Sequence, residues 1–506
     1  LNQQSEEACV SNDLSLDKLK ELFTNNDSFV VRKLMNNQSV AVASMVYLDI
    51  LIDEKGLNQY IIPQIVGALP ASADKSDKSL IDTLENLAAN KVLHQLDHAV
   101  NWIMNAGIII ILPGCTKAYG IQLPGYETRS IDEPKIEINV RGPKESFVED
   151  LHQNLSMVYR KLRTPDLKSE SYIIGKQSET KMMLLYLESR VDPKTLELLK
   201  KKVEKIQLDL LVANIQIEEL IQDNTYSPFP QILDTERPDR VVSLLNRGKI
   251  AIVTDGTPIV LAVPSTFFEI MHPSDDLYER FYFANFLRII RLVCLFVSLF
   301  GPSTYIALTT FHLEMIPTPL MMNFISSKAN IPFPTFVEAI LMETAFEVLR
   351  EASLRLPRAV GQSVSIVGAL IIGEAAVQSG IVSRPMVIVV AMTGIASFAI
   401  PSFSTAIAFR LLRFPLILFA AYCGVFGISL CMLLILLHLC SLTSLGKPFL
   451  EPVDFQSTKN SLMRYILLPI HYRINRLGAK NDNGAALQHN RGGLSYEQDG
   501  EVDEYR

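Results

Sequence analysis

The sequence predicts an α/β N-terminal cytoplasmic region of two subdomains, followed by an all-α transmembrane bundle. Three observations predict it. Lys, Arg, Asp and Glu recur every few residues up to about Phe286, then thin out as far as Cys440. Inside that second stretch, residues 289–312, 359–382, 385–409 and 414–440 approach or exceed the about 20 apolar residues that cross about 30 Å of hydrocarbon. Ahead of it, short aliphatic runs alternate with amphipathic stretches, as in strands packed against helices. A net charge of −7 over 506 residues and a mean hydropathy of +0.21 fit a chain that is part soluble and part membrane.

The first subdomain is read as residues 1–165. Leu14, Leu16, Leu19 and Leu22 have amphipathic helical spacing, with Ser11 or Asp13 placed to cap it. Residues 39–52 are rich in Val and Ala and read as a core strand, and 108–112 is an aliphatic strand closed by Pro113-Gly114. Residues 135–140 alternate charged and apolar, a strand that Arg141-Gly142-Pro143 ends, and a helix runs over 146–162. The second subdomain is read as residues 171–280. Residues 173–174, 182–187 and 250–253 supply strands, and 195–211 is a charged helix. Asp255-Gly256-Thr257-Pro258 sits between two aliphatic runs and has the chemistry of a hairpin turn. Residues 1–13 are polar and acidic without the pattern of a signal peptide, which points to a cytoplasmic soluble region.

Composition and motifs exclude several classes. Cys9, Cys115, Cys294, Cys423, Cys431 and Cys440 are scattered, with no CxxC and no Cys/His spacing, so neither a disulfide framework nor a structural zinc is indicated. His94 and His98 share helical spacing, but Gln95 stands where a zinc protease needs Glu. No Walker loop, GxGxxG or GxSxG occurs. We expect no catalytic residues, no metal and no cofactor. No basic patch interleaved with aromatics suggests nucleic acid.

A run of short blocks is shared with a known family. Glu133-Pro134-Lys135, Val140-Arg141-Gly142-Pro143, Glu145, Phe147, Glu149 and Asn154 form the first. Pro228-Phe229-Pro230-Gln231, Thr235-Glu236-Arg237-Pro238-Asp239 and Asp255-Gly256-Thr257-Pro258 follow. The apolar half adds Phe333-Pro334, Glu338, Arg350-Glu351-Ala352, Leu356-Pro357-Arg358 and Gly361-Gln362. In order from about residue 130 to 415, these resemble the A subunit of the GerA family of spore germination receptors. The resemblance implies a nutrient-responsive receptor in the inner membrane of a bacterial endospore, with the N-terminal region on the spore-core side. It implies two partners, a transporter-like B subunit and a lipoprotein C subunit. It favours a ring-like homo-oligomer of five subunits around a gated path for monovalent cations, embedded in membrane lipid. A non-conducting scaffold subunit and a secondary transporter are the alternatives. A transporter predicts repeated broken helices, and no such symmetry is visible. A paralog acting later in germination is a further alternative within the family.

Residues 359–382 carry the most legible membrane chemistry. At 100° per residue, Gly361, Ser365, Gly368, Ala375 and Ala376 gather on one side, small residues of the kind that pack helices closely in lipid. Ser363, Val367, Leu370 and Glu374 occupy the other and are the pore-lining candidates, with Glu374 raising local cation concentration and the aliphatic pair forming a constriction. The alternatives are Glu374 paired with Arg384, or protonated within the bundle as part of a proton relay. Residues 334–356 form an amphipathic helix, interfacial or re-entrant. Glu343, Glu347 and Glu351 lie on it at successive four-residue steps, read either as an acidic vestibule or as a solvated face. Arg141, Glu236, Arg237 and Asp239 are the candidates for an interdomain clasp. Arg288 and Arg291, Arg350, Arg355 and Arg358, and Arg410 and Arg413 each ask for the inner side. A fold-back at Gly424 and Gly427 within 414–440 would put both termini there. Residues 441–506 are read as a polar tail, Gly/Asn-rich and disordered after 478.

Overall fold

The computed structural model describes residues 14–35, 41–68, 78–87, 92–112, 118–125, 134, 137, 139, 141–357, 368 and 373–451. Five strands, β1 (Phe29–Met35), β2 (Ala41–Leu48), β3 (Val92–Leu93), β4 (Gly107–Ile111) and β5 (Ala118–Gln122), form one sheet in the order β1-β2-β4-β5-β3. Five more, β6 (Leu167–Ile174), β7 (Thr180–Leu187), β8 (Leu233–Thr235), β9 (Ile250–Thr254) and β10 (Val260–Val263), form a second in the order β6-β7-β9-β10-β8. Every strand pair in both sheets is antiparallel. The two sheets therefore share one topology, a repeat that the dissimilar sequences of the two halves conceal.

The helices of seven or more residues among the described residues of this region are α1 (Leu16–Leu22), α2 (Lys78–Leu87), α3 (Leu96–Met104), α4 (Leu151–Lys161), α5 (Pro193–Glu204), α6 (Asn214–Ile221) and α7 (Pro238–Leu245). Their placement follows from strand periodicity. Alternate residues of a strand face opposite sides of the sheet. Ile109 and Ile111 of β4 and Ala251 and Val253 of β9 enter one central core, with Ile103 of α3, Leu155 of α4 and Val241 of α7. Ile108 and Ile110 face outward, under Leu57, Ile61 and Ile65 and under Leu84 of α2. Ile250 and Ile252 likewise face Leu199 of α5 and Ile217 of α6. Both faces of both sheets are covered, and so β4 and β9 read as unbroken aliphatic runs rather than as alternating ones.

Local chemistry sets the boundaries. The second sheet begins at Leu167, earlier than the expected 171, because β6 pairs with β7 along its whole length. Helix α4 starts only at Leu151, where the Asp150 carboxylate accepts from the Gln153 N–H at 2.8 Å and caps it. Of the strand expected at 135–140, residues 135, 136, 138 and 140 lie outside the described residues; residues 141–150 carry no regular element. Gly142 has φ +113, and the Tyr278 ring occupies the space a Cβ would need.

Among the described residues five longer helices follow: α8 (Phe281–Thr310), α9 (Thr318–Lys328), α10 (Thr335–Arg355), α11 (Arg384–Phe398) and α12 (Phe403–Ser441). Two of them are long and apolar enough to cross a membrane, Tyr282–Thr310 with mean hydropathy 1.9 and Phe403–Ser441 with 2.4. The break expected between 409 and 414 is absent. The chain instead breaks after Phe398, where α11 ends and Ser402 caps α12 with its hydroxyl on the Thr405 N–H at 3.3 Å. Helix α12 itself is not straight. Gly424 has φ 60 and ψ −139, and a Cβ on Gly427 would collide with the Phe419 carbonyl. Phe409 and His438 would lie about 44 Å apart on one straight helix. Both instead pack on Phe229, with ring centroids 5.5 and 6.2 Å away. The helix folds back at Gly424, and its two limbs return to the same place. Of the expected 359–382 segment, residues 359–367 and 369–372 lie outside the described residues, as do 452–506.

Candidate functional site

The polar groups that matter most lie inside the helical bundle and lead down to the second sheet. Helix α10 supplies three carboxylates. Glu343 is buried and pairs with Arg413 of α12, whose other nitrogen donates to Ser298 Oγ of α8 at 3.0 Å. One turn on, Glu347 takes Arg350 at 2.9 Å and Arg410 of α12 at 3.5 Å. Arg350 also reaches Ser397 Oγ of α11 at 3.5 Å and lies 5.3 Å from the Phe398 ring centroid. Glu338, at the start of α10, is 1% exposed and accepts from the Ser383 N–H, at the start of α11, at 2.8 Å. Charges buried among apolar helices persist only when paired, because removing water from an isolated ion costs several kcal/mol. These pairs fasten α8, α10, α11 and α12 to one another.

This corrects the acidic-vestibule expectation. Glu343, Glu347 and Glu351 do not form one acidic face: the first is buried and neutralised, the second is shared by two arginines, and Glu351 pairs with Arg355 at 2.6 Å on the exposed side. Arg410 and Arg413 are likewise not boundary charges, since both are buried within α12. Two arginines in an otherwise apolar stretch were the available signal, and they call for acidic partners in the bundle. Reading them as markers of a boundary between spans hid that.

For the pore-lining candidates, Ser363, Val367 and Leu370 lie outside the described residues, as do Gly361 and Ser365 of the packing face. Glu374 is exposed and accepts from Gln378 at 3.0 Å. Among the described residues it forms no ion pair with Arg384. Gly368 lies against Leu349 of α10, whose Cδ2 stands 2.7 Å from where a Cβ would be. Ala376 packs beside the cluster of Tyr305, Met342 and Met386, whereas Ala375 is exposed.

The clasp candidates come together in the soluble region. Arg237 is fully buried and donates to Asp239 at 3.0 and 3.1 Å, to the Pro143 carbonyl at 2.8 Å and to the Glu137 carbonyl at 3.3 Å. Glu236 receives the Glu137 N–H at 2.7 Å, and its carbonyl receives the Phe147 N–H at 2.8 Å. Asp239 accepts from the Tyr278 hydroxyl at 2.5 Å, and burial followed by this bond pushes the phenol well above its ordinary range. Arg141 is mostly exposed, with Glu279 at 3.8 Å. Two residues before Tyr278, Asp276 holds Arg288 at 2.6 Å and Arg291 at 2.9 Å, in the first three turns of α8. The clasp thus ties the inter-sheet connection to the entry of the bundle.

The exit is tied to the same sheet. After α12 comes a hairpin of β11 (Thr443–Ser444) and β12 (Lys447–Pro448). Asp223 accepts from Thr443 Oγ1 at 2.7 Å and from the Gly446 N–H at 3.1 Å. Ser444 Oγ donates to the Gln231 carbonyl at 2.7 Å and accepts from the Ser265 N–H at 3.0 Å. Phe449 is buried with Phe229 and Leu439. The expected polar tail is therefore ordered through its first residues.

One family model, described as Bacillus/Clostridium GerA spore germination protein, matches residues 17–476. The chain belongs to the GerA family. It is 39% identical over 448 residues to spore germination protein KA of Bacillus subtilis (strain 168), covering 88% of this chain and 82% of that one. It is 36% identical over 480 residues to spore germination protein A1 of the same organism, covering 93% and 95%. An uncharacterized membrane protein of that strain, YfkQ, is 41% identical over 410 residues, covering 81% and 80%. Among solved structures, the crystal structure of the N-terminal domain of the A subunit of the Bacillus megaterium spore germinant receptor GerK3 matches with TM-score 0.38 and 27% identity, covering 50% of this chain and 94% of that one.

Proposed function

We propose that this GerA-family chain is the membrane subunit of a nutrient-responsive germination receptor in the endospore inner membrane. Copies of it assemble around a gated cation path, alongside a transporter-like B subunit and a lipoprotein C subunit. The observation that carries the reading is Glu374. Gly368 and Ala376, on either side of it in sequence, pack against the bundle, yet the carboxylate itself is exposed and free of a cationic partner among the described residues. A carboxylate among apolar helices needs water, a counter-charge or a cation. A water-filled path between neighbouring copies supplies the first and the last. The second α/β subdomain holds both ends of the bundle, so a shift of that subdomain, driven by a partner, reaches the helices directly. In this reading both ends of the bundle, held by one subdomain, lie on one side of the membrane, taken as the spore-core side.

The test is potassium release without nutrient from spores carrying Val367→Ala together with Leu370→Ala. A smaller apolar constriction lets water and ions persist, so these spores leak, and a further Glu374→Gln suppresses the leak. Normal potassium retention by a normally assembled variant overturns the pore and leaves a scaffold subunit.

A further inference from the structure

We infer that Glu338, Ser383 and Tyr305 form a binding site for a small, dehydrated monovalent cation of sodium type, for which the Lys328 ammonium competes. Three helices meet here. Glu338 lies in the first turn of α10, Ser383 caps α11, and Tyr305 stands in the last third of α8. Glu338 and Ser383 are each 1% exposed and Tyr305 is 8% exposed. One oxygen of each is buried, Glu338 Oε1, Ser383 Oγ and Tyr305 Oη, and none has a hydrogen-bond partner outside the trio. The hydroxyls of Tyr305 and Ser383 neighbour each other, and the Glu338 charge reaches the phenol. The second carboxylate oxygen is already engaged by the Ser383 N–H at 2.8 Å, which fixes the group in place.

Such oxygens are costly to bury unpaired. A carboxylate oxygen and two hydroxyl oxygens from three helices make an all-oxygen donor set, the type that hard cations prefer. The single negative charge suits a single positive one. Lys328 supplies the rival. Its ammonium donates to Thr335 Oγ1 at 2.5 Å and lies 5.4 Å from the Tyr305 ring centroid, within range of the Glu338 charge, yet it forms no ion pair with that carboxylate among the described residues. When a cation binds, Lys328 stays on Thr335; when none is bound, the ammonium can turn to the carboxylate. Occupancy would fasten α8, α10 and α11 at the point where α10 begins. This site is separate from Glu374, so its failure leaves the proposed cation path standing.

The test is thermal unfolding of the full chain in detergent, titrated with sodium chloride against choline chloride at constant ionic strength. A ligand that binds only the folded state raises the melting temperature, by about 2–4 °C at ten times its dissociation constant. Sodium should do so where choline does not. Glu338→Gln keeps an acceptor for the Ser383 N–H and should abolish the shift. Lys328→Met removes the competitor and should lower the sodium midpoint by about tenfold. If Glu338→Gln does not accumulate, Tyr305→Phe and Ser383→Ala carry the test, each raising the midpoint. The site is overturned by a sodium shift that survives Glu338→Gln, by midpoints indifferent to Tyr305→Phe and Ser383→Ala, or by no sodium-specific shift in either the natural chain or Lys328→Met.

Discussion

In the first sheet, the outer face is roofed by residues 54–67 and α2. In the second, which repeats the same strand order, α5 and α6 form the roof and the loops around Asp223, Gln231 and Ser265 grip the hairpin that follows α12. Phe229, Phe267 and Met271 add an apolar seat for Leu295, Phe409 and Leu439 of the bundle. One topology has thus been given two uses by its loops. Strand order decides how a core is closed, and loop chemistry decides what the closed unit can hold.

The largest effect expected in the helical half comes from its buried ion pair. Arg413→Ala strands Glu343 among apolar helices, and breaking a buried pair in this way costs about 3–5 kcal/mol. The variant should be nearly absent from spore membranes by immunoblot. Replacing both partners with Met removes the stranded charge and should restore most of the protein. Failure of the double variant to recover would mean that the pair positions the helices rather than merely neutralising a charge.

A sharper contrast sets the two sheets directly against each other. Asp223→Ala together with Ser444→Ala removes the Thr443, Gly446, Gln231 and Ser265 bonds and the 2.6 Å pair with Lys202, which keeps only the Ile221 and Gln222 carbonyls. At about 1 kcal/mol for each hydrogen bond, the joint should loosen by about 2–4 kcal/mol. Limited proteolysis should then cut near Gly446 while the sheets stay intact. On the outer face of the first sheet, Asn58→Ala loses an exposed bond from Arg32 at 3.0 Å and should stay within about 0.5 kcal/mol of the natural chain. Equal sensitivity at the two places would dissolve the distinction.

Much of this architecture was legible in the residues. The aliphatic runs at 108–112 and 250–253 announced core strands, Asp255-Gly256 announced the β9–β10 hairpin, and Gly424 with Gly427 marked the fold-back of α12. Arg237 and Asp239 stood out as candidates, and the two side chains pair at 3.0 Å. The repeated strand order was not legible, because topology is fixed by which strands meet across long separations, as when β5 pairs with β3 beyond β4. Nor were the partners of Arg410 and Arg413. Local periodicity places a residue on a helix face, but only packing decides which helix it meets. Asp276 escaped notice for the same reason: in sequence it is one acid of a short Ser-Asp-Asp run, and in space it holds two arginines at the mouth of the bundle.

A pH-dependent effect tests the roof of the second sheet. On α6, burial, followed by the nearby charges of Asp234 and Glu219, pushes the Glu218 carboxyl up to about 7 from its ordinary 4.5. The folded chain therefore holds this proton more tightly than the unfolded one. Below about pH 4.5 both states are protonated and Glu218 carries no penalty. As pH rises towards 7, the folded state must ionise a half-buried group and loses stability, and above 7 the loss is complete. Glu218→Gln cannot ionise. It should match the natural chain at pH 4 and exceed it at pH 8 by up to about 2 kcal/mol, since one pKa unit corresponds to about 1.4 kcal/mol and partial solvent contact reduces the full shift. Melting curves at the two pH values decide it, and an equal gain at both would mean that the substitution acts through packing of α6 on α5 rather than through charge.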